Sequence, residues 1–125
     1  MNYTNTTPIY VQIMDDIKEK IILGEYTPNM QIPPVRELAI TYEVNPNTMQ
    51  RALAELEREG YLYTMRTAGR FVIDDPVRIQ EMKQELLHHK TDAFIKDISV
   101  FAMSDEELIN KIKERMKAYA KHKKR

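Results

Sequence analysis

Residues 33–60 read PPVRELAITYEVNPNTMQRALAELEREG. Two helical patterns stand back to back in this stretch. Val35, Leu38, Ala39 and Tyr42 recur at the spacing of a helix about two turns long, and Met49, Ala52, Leu53 and Leu56 do the same on a second helix that stops at Gly60. Asn45-Pro46-Asn47-Thr48 starts the second helix: Asn45 can accept a backbone N–H as its cap, and Pro46 suits the first helical position, where no amide hydrogen is needed. A short helix, a turn over residues 41–45 and a capped second helix are the parts of a helix-turn-helix. In that motif the N-terminal part of the second helix lies in the major groove of DNA.

The side chains at that end suit the task. Asn47, Gln50 and Arg51 are three and four residues apart, so one exposed face can present them together, with Thr48 beside them and no acidic residue before Glu55. Arg and Gln have the donor geometry for guanine and adenine edges, while Asn and Thr bond to bases or phosphates. The helix start is expected to offer unpaired N–H groups to a phosphate as well. Arg36, in the first turn of the preceding helix, opposes the helix dipole, a placement that an anionic partner explains.

Upstream, Tyr10, Ile13, Met14, Ile17 and Ile21 mark a further amphipathic helix over residues 9–23, which Gly24 is placed to end. Downstream the period changes. Tyr61-Leu62-Tyr63-Thr64-Met65 and Arg70-Phe71-Val72-Ile73 are β-prone runs separated by Arg66-Thr67-Ala68-Gly69, the pattern of a two-stranded hairpin. A lone hairpin is marginal in water, so it has to pack on the helices. Arg66 and Arg70 flank its tip, within reach of an adjacent groove or backbone of a duplex.

Asp74-Asp75-Pro76 divides the chain, and all three glycines precede it. Residues 1–75 thus read as one module and 76–125 as a helical appendage. In the latter Ile79, Met82, Leu86, Leu87, Phe94, Ile98 and Phe101 keep helical spacing, with breaks expected near residues 88–92. Ser104-Asp105-Glu106-Glu107 forms a capping box for a last helix with Leu108, Ile109, Ile112, Met116 and Tyr119 on one face. Two helices in about 50 residues lie near the lower limit for an independent core, so their stripes need a partner surface. A second copy is the simplest partner, and folding back on the first module is the alternative. The expected homodimer contacts are Ile79, Met82, Leu86, Phe94, Ile98, Phe101, Leu108, Ile112 and Met116.

Composition narrows the remaining classes. A chain of 125 residues is too short for large enzyme folds, and 42% hydrophobic with 30% charged residues reads as globular. Cysteine is absent, which removes disulfides, thiolate metal sites and a cysteine nucleophile. Residues 1–8 are polar and uncharged and no apolar run exceeds a few residues, so a cytoplasmic protein without signal peptide or membrane span is expected. There is no nucleotide-binding loop, and His88-His89, being adjacent, point in different directions on a helix. No catalytic residue, metal or cofactor is therefore expected. Asp15-Asp16 and Asp74-Asp75 read as solvated or helix-boundary residues.

At the level of motifs, Pro8-Ile9-Tyr10-Val11-Gln12-Ile13, Gln31-Ile32-Pro33-Pro34-Val35-Arg36-Glu37-Leu38-Ala39, Val44-Asn45-Pro46-Asn47-Thr48-Met49-Gln50-Arg51-Ala52-Leu53, Glu55-Leu56-Glu57-Arg58-Glu59-Gly60-Tyr61 and Gly69-Arg70-Phe71-Val72 resemble the successive signatures of GntR-type winged-helix transcription regulators over residues 8 to 74. The two-helix tail is similar to the YtrA-like subfamily, in which it serves dimerisation. The resemblance implies that Arg36, Asn47, Thr48, Gln50 and Arg51 contact operator DNA and that the turn at Gly69 forms the wing. It also implies repression, often of neighbouring transporter genes. Pro34 stands where the family usually has a serine, so that helix cap is lost, and Asn29 stands where a glycine is common, a position asparagine tolerates. The wing tip has one glycine, and Arg70 replaces a threonine, which marks Arg70 for a phosphate or the minor groove.

The resulting expectation is a mainly α fold with a small β-hairpin wing, an N-terminal winged helix-turn-helix and a two-helix dimerisation segment. Its function is sequence-specific binding of a near-palindromic double-stranded operator as a homodimer. The alternative is a non-catalytic protein-interaction module. With about 50 residues after the wing, any small-molecule effector has to bind between the dimer helices or near Pro76. The 19 basic and 19 acidic residues cancel, but residues 1–75 hold 7 basic and 11 acidic and residues 76–125 hold 12 and 8. The DNA-reading half is the acidic one, so its attraction to DNA has to come from Arg36, Arg51, Arg66 and Arg70 rather than from bulk charge. The basic surplus at Lys117, Lys121, Lys123, Lys124 and Arg125 suits a helix C-terminus.

Overall fold

Helices α1 (Ile9–Ile22), α2 (Val35–Tyr42) and α3 (Pro46–Arg58) come first, then a hairpin of β1 (Leu62–Met65) and β2 (Gly69–Val72), then α4 (Pro76–Ser99) and α5 (Asp105–Lys123). This computed structural model describes residues 1–123; Lys124 and Arg125, counted above in the basic tail, lie outside them. The chain divides into two compact units, Met1–Gln84 and Glu85–Arg125.

In the first unit α1 and α2 both pack on α3. The periodic positions close one core: Ile13, Met14, Ile17 and Ile21 of α1, Leu38, Ala39 and Tyr42 of α2, and Met49, Ala52, Leu53 and Leu56 of α3 are all buried. Tyr61, Leu62 and Val72 of the hairpin region join them. Each large apolar side chain so buried contributes about 1.5–3 kcal/mol.

Local chemistry sets the turns. As expected, Pro34 gives α2 no side-chain cap, and Asn29 adopts a left-handed φ of 65°. α2 ends at Glu43, also left-handed with φ 55°, and the Val44 amide bonds back to the Ala39 carbonyl at 3.0 Å. The hairpin pairs Leu62 with Val72 and Met65 with Gly69 in antiparallel register. A third segment joins its free edge: the Asn29 amide bonds to the Val72 carbonyl at 2.9 Å, the Val72 amide to Met30 at 2.9 Å and the Ile32 amide to Arg70 at 3.0 Å. This segment is too short to show a strand period in the sequence.

Asp75 caps α4 through its carboxylate, which accepts from the Arg78 amide at 3.1 Å. α4 then runs 24 residues without the breaks expected near residues 88–92. No glycine or proline interrupts residues 77–99, and the Thr91 hydroxyl bonds to the Leu87 carbonyl at 2.7 Å. The division between the units falls inside this helix, not at Pro76. Met82 is fully buried in the core of the first unit, the head, so it lacks the free surface expected of a dimer contact, while Ile79 packs against that core and stays half-buried. Arg78 also reaches back to the carbonyl of Glu59, beyond the end of α3.

The second unit has the opposite character. Ser104 caps α5 by accepting from the Glu107 amide at 3.1 Å, as the capping box predicts. Among the described side chains of Glu85–Arg125, however, none is buried. No helix of the described residues is long and apolar enough to cross a membrane.

Candidate nucleic-acid interface

The buried row Met49, Ala52, Leu53 and Leu56 fixes which side of α3 faces outward. Asn47, Gln50 and Arg51 are exposed on that side, and Thr48 is half-buried at its margin. Asn45 caps the helix by accepting the Asn47 amide at 2.7 Å. The Thr48 and Met49 amides bond to the Asn45 carbonyl at 3.0 and 3.1 Å, and Pro46 has no amide hydrogen. The expected free N–H groups at the helix start are therefore already used. Anion contacts here have to come from side chains.

Arg36 is exposed on α2 and lines the same shallow groove as Pro46, which puts a cation beside the start of α3. At the wing, Arg66 is exposed in the turn between the strands and Gly69 has a φ of 119°, a conformation that favours glycine. Gln31 supports this turn by donating to the Ala68 carbonyl. Arg70 departs from the expectation. Its side chain is only 18% exposed and its Nε lies 4.0 Å from Glu57 Oε1, the oxygen that also accepts from the Thr64 hydroxyl. Arg70 thus ties the wing to α3, and Arg66 is the cation the wing turns outward.

The three glutamates at the far end of α3 each have a cation. Arg58 sits 2.6 Å from Glu55 and holds its carboxyl below the usual range, Arg70 faces Glu57, and Lys18 bonds to Glu59 at 3.1 Å. Three of the eleven acidic side chains of residues 1–75 are in this way paired locally. Asp16 is also more than a solvated carboxylate, since it accepts from the Tyr42 hydroxyl at 2.6 Å.

Two further residues contribute without a distinguishing signal in the sequence. Tyr10 of α1 lies under the Arg51 guanidinium, with 4.0 Å from its ring centroid to Cζ, and Gln31 props the wing. Tyr10 carries the helical period of a core residue, and nothing in that period distinguishes a ring that also supports an arginine.

In the second unit, Phe94 and Ile98 of α4 and Leu108, Ile112 and Met116 of α5 line an open groove of about 900 Å³, together with Tyr119. Five of the nine expected dimer residues are brought together there. Leu86 and Phe101 do not line it, although Phe101 is 73% exposed. Lys111, Arg115, Ala118, Ala120 and His122 complete the lining. Among the described residues no group of three His or carboxylate side chains is placed to hold a metal ion.

The family model "Bacterial regulatory proteins, gntR family" matches residues 9–72, the span from α1 to the end of the wing. The chain is 35% identical over 111 residues to the uncharacterized HTH-type transcriptional regulator YhcF of Bacillus subtilis, covering 89% of this chain and 92% of that one. It is also 35% identical over 111 residues to the HTH-type transcriptional repressor YtrA of Bacillus subtilis, covering 88% of this chain and 85% of YtrA. Among solved structures, a GntR family transcriptional regulator from Listeria monocytogenes superposes with a TM-score of 0.81 at 36% identity, over 90% of this chain and 98% of that one. The AraR DNA-binding domain in complex with operator ORR3 matches with a TM-score of 0.52 at 29% identity, over 58% of this chain and 87% of that one. The family match spans the helix-turn-helix and the wing, and the YhcF, YtrA and Listeria matches are long enough to take in part of the helical tail. The chain belongs to the gntR family of bacterial regulatory proteins.

Proposed function

We propose that this chain is a transcriptional repressor that binds a near-palindromic operator as a homodimer. The observation that carries the reading is the exposed row Asn47, Gln50 and Arg51 at the start of α3, with Arg36 in the groove beside Pro46 and Arg66 exposed in the wing turn. Gln50 and Arg51 read base edges, Asn47 and Thr48 bond to bases or phosphates, and Arg36, Arg66 and the backbone at Gly69 hold the duplex. The AraR domain bound to its operator supports this use of the fold, and the name of YtrA supports repression. The family resemblance points to neighbouring transporter genes as the target.

Dimerisation through the second unit is supported by the lack of any buried side chain among its described residues and by the apolar groove between its helices. Two heads held this way place two copies of α3 in successive major grooves, about 34 Å apart. Selection of bound sequences from a random duplex pool tests the whole reading. Recovery of paired half-sites separated by about one helical turn supports it. Absence of binding to any duplex, even at low salt where counterion release favours it most, overturns it in favour of a protein-interaction module.

A further inference from the structure

We propose that Tyr10 of α1 is a positioning residue for Arg51, fixing the arginine on the surface of α3 before DNA arrives; the proposal rests on the DNA-reading role given to α3 above. The Arg51 guanidinium lies over the Tyr10 ring at 4.0 Å from its centroid, and Nη2 donates to the Tyr10 hydroxyl at 3.3 Å. Tyr10 is half-buried and packs against the head's core, so the platform is anchored from below.

The surrounding charges explain why the arginine rests there. On a helix, the neighbour of Arg51 at i+4 is Glu55, the usual partner for a cation at this spacing. Glu55 is held instead by Arg58 at 2.6 Å, through a hydrogen bond from Nη2 and a second from Nε at 3.0 Å. Arg51 acts on Glu55 only through space, and its direct contact is with the uncharged Tyr10. A ring face orients a guanidinium without neutralising it, so the charge remains available to a phosphate or a guanine edge. The bond to the Tyr10 hydroxyl uses one of the five N–H donors of the guanidinium, and four remain for the duplex.

An exposed arginine ordinarily loses rotamer freedom on binding, and that loss weakens the complex. Stacking on Tyr10 removes part of the freedom in the unbound protein. The benefit appears only where Arg51 makes a defined contact. On DNA where any cation near a phosphate serves equally well, it is small.

The test is a double-mutant cycle on the full chain with Tyr10→Leu, Tyr10→Phe, Arg51→Ala and the two combinations with Arg51→Ala. Binding is measured to a duplex recovered by sequence selection and to a random duplex of the same length, with thermal unfolding run in parallel. Tyr10→Leu is expected to weaken the selected duplex about five- to tenfold and the random duplex less than about twofold, with Tyr10→Phe, which keeps the ring, losing about two- to threefold. In the Arg51→Ala background both Tyr10 changes should have no further effect. An undiminished Tyr10 effect without Arg51, or equal losses on both duplexes, overturns the proposal. If Tyr10→Leu does not fold, the Tyr10→Phe arm decides by the same criterion. Failure of the unaltered chain to bind any duplex is a different result, and it overturns the DNA-reading role itself.

Discussion

Tyr42 donates its hydroxyl hydrogen to Asp16 Oδ2 at 2.6 Å, which joins the last residue of α2 to the middle of α1. Its carbonyl accepts from the Tyr3 hydroxyl at 2.6 Å, so the N-terminal arm and α1 both meet at the residue before the helix-turn-helix turn. Burial, reinforced by the Asp16 carboxylate, pushes the Tyr42 phenol far above the ordinary tyrosine value.

The sign of the pH effect follows. Above about pH 10 the unfolded chain releases this proton and the folded chain keeps it, so stability is complete below pH 10 and falls as pH rises beyond it. Tyr42→Phe is expected to cost about 1–3 kcal/mol at pH 7, because Asp16 loses a donor in a half-buried position. Urea unfolding between pH 7 and 11 should show a shallower alkaline decline for the variant. Some decline remains, because burial also raises Tyr3 and Tyr26. Equal alkaline slopes for both proteins would remove Tyr42 as the titrating group.

Glu43 holds a left-handed φ of 55° at the end of α2, where an L side chain is strained and glycine is not. Glu43 is exposed, so little packing is lost on removing its side chain. Glu43→Gly is expected to raise stability by about 0.5–1 kcal/mol despite the added freedom of the unfolded chain. A higher midpoint in thermal unfolding confirms it; a lower one means that the carboxylate has a stabilising role the geometry does not reveal.

Arg66 and Arg70 lie four residues apart in the hairpin and are expected to behave differently. Arg66→Ala removes an exposed cation, so binding to all sequences should weaken and the slope of log affinity against log salt should become shallower by about 0.9. Arg70→Ala removes the group that faces Glu57 between the wing and α3. It should lower the thermal midpoint and leave the salt slope unchanged. Identical salt slopes for the Arg66 variant and the parent would exclude Arg66 as a phosphate contact.

The helices and the hairpin were legible in the sequence because each carries its own local code. Apolar spacing gives α1 to α3, Asn45-Pro46 starts α3, and Ser104 with Glu107 starts α5. Features that depend on distant partners were not legible. Arg70 turns inward because Glu57, thirteen residues earlier on α3, is beside it. Met82 is taken into the head's core although its spacing matches the exposed stripe of α4 equally well. The free amides expected at α3 are a different case, since the local Asn45 cap and carbonyl satisfy them and the cap motif itself implied it. The exposed row Asn47, Gln50 and Arg51 could be placed from spacing alone, but the ring beneath Arg51 belongs to another helix.

Ile98 and Ile112 are both half-buried in the groove of the second unit, flanked by Phe94, Leu108 and Met116. A carboxylate at either position stays solvated in an isolated chain, because the groove is open, and becomes desolvated once a second copy covers it. The double variant Ile98→Asp/Ile112→Asp is therefore expected to sediment as a monomer at concentrations where the parent is a dimer. Its head should keep the thermal midpoint of the parent, since neither residue contributes to the core around Leu53 and Leu56. Joining two heads makes the second half-site contact intramolecular, an advantage of about 10² to 10⁴ in affinity, and the monomer should lose most of it on a two-half-site duplex. On a single half-site, parent and variant should bind alike. A variant that is monomeric yet binds the paired site as tightly as the parent contradicts the two-headed mechanism, and a variant that remains dimeric moves the interface away from this groove.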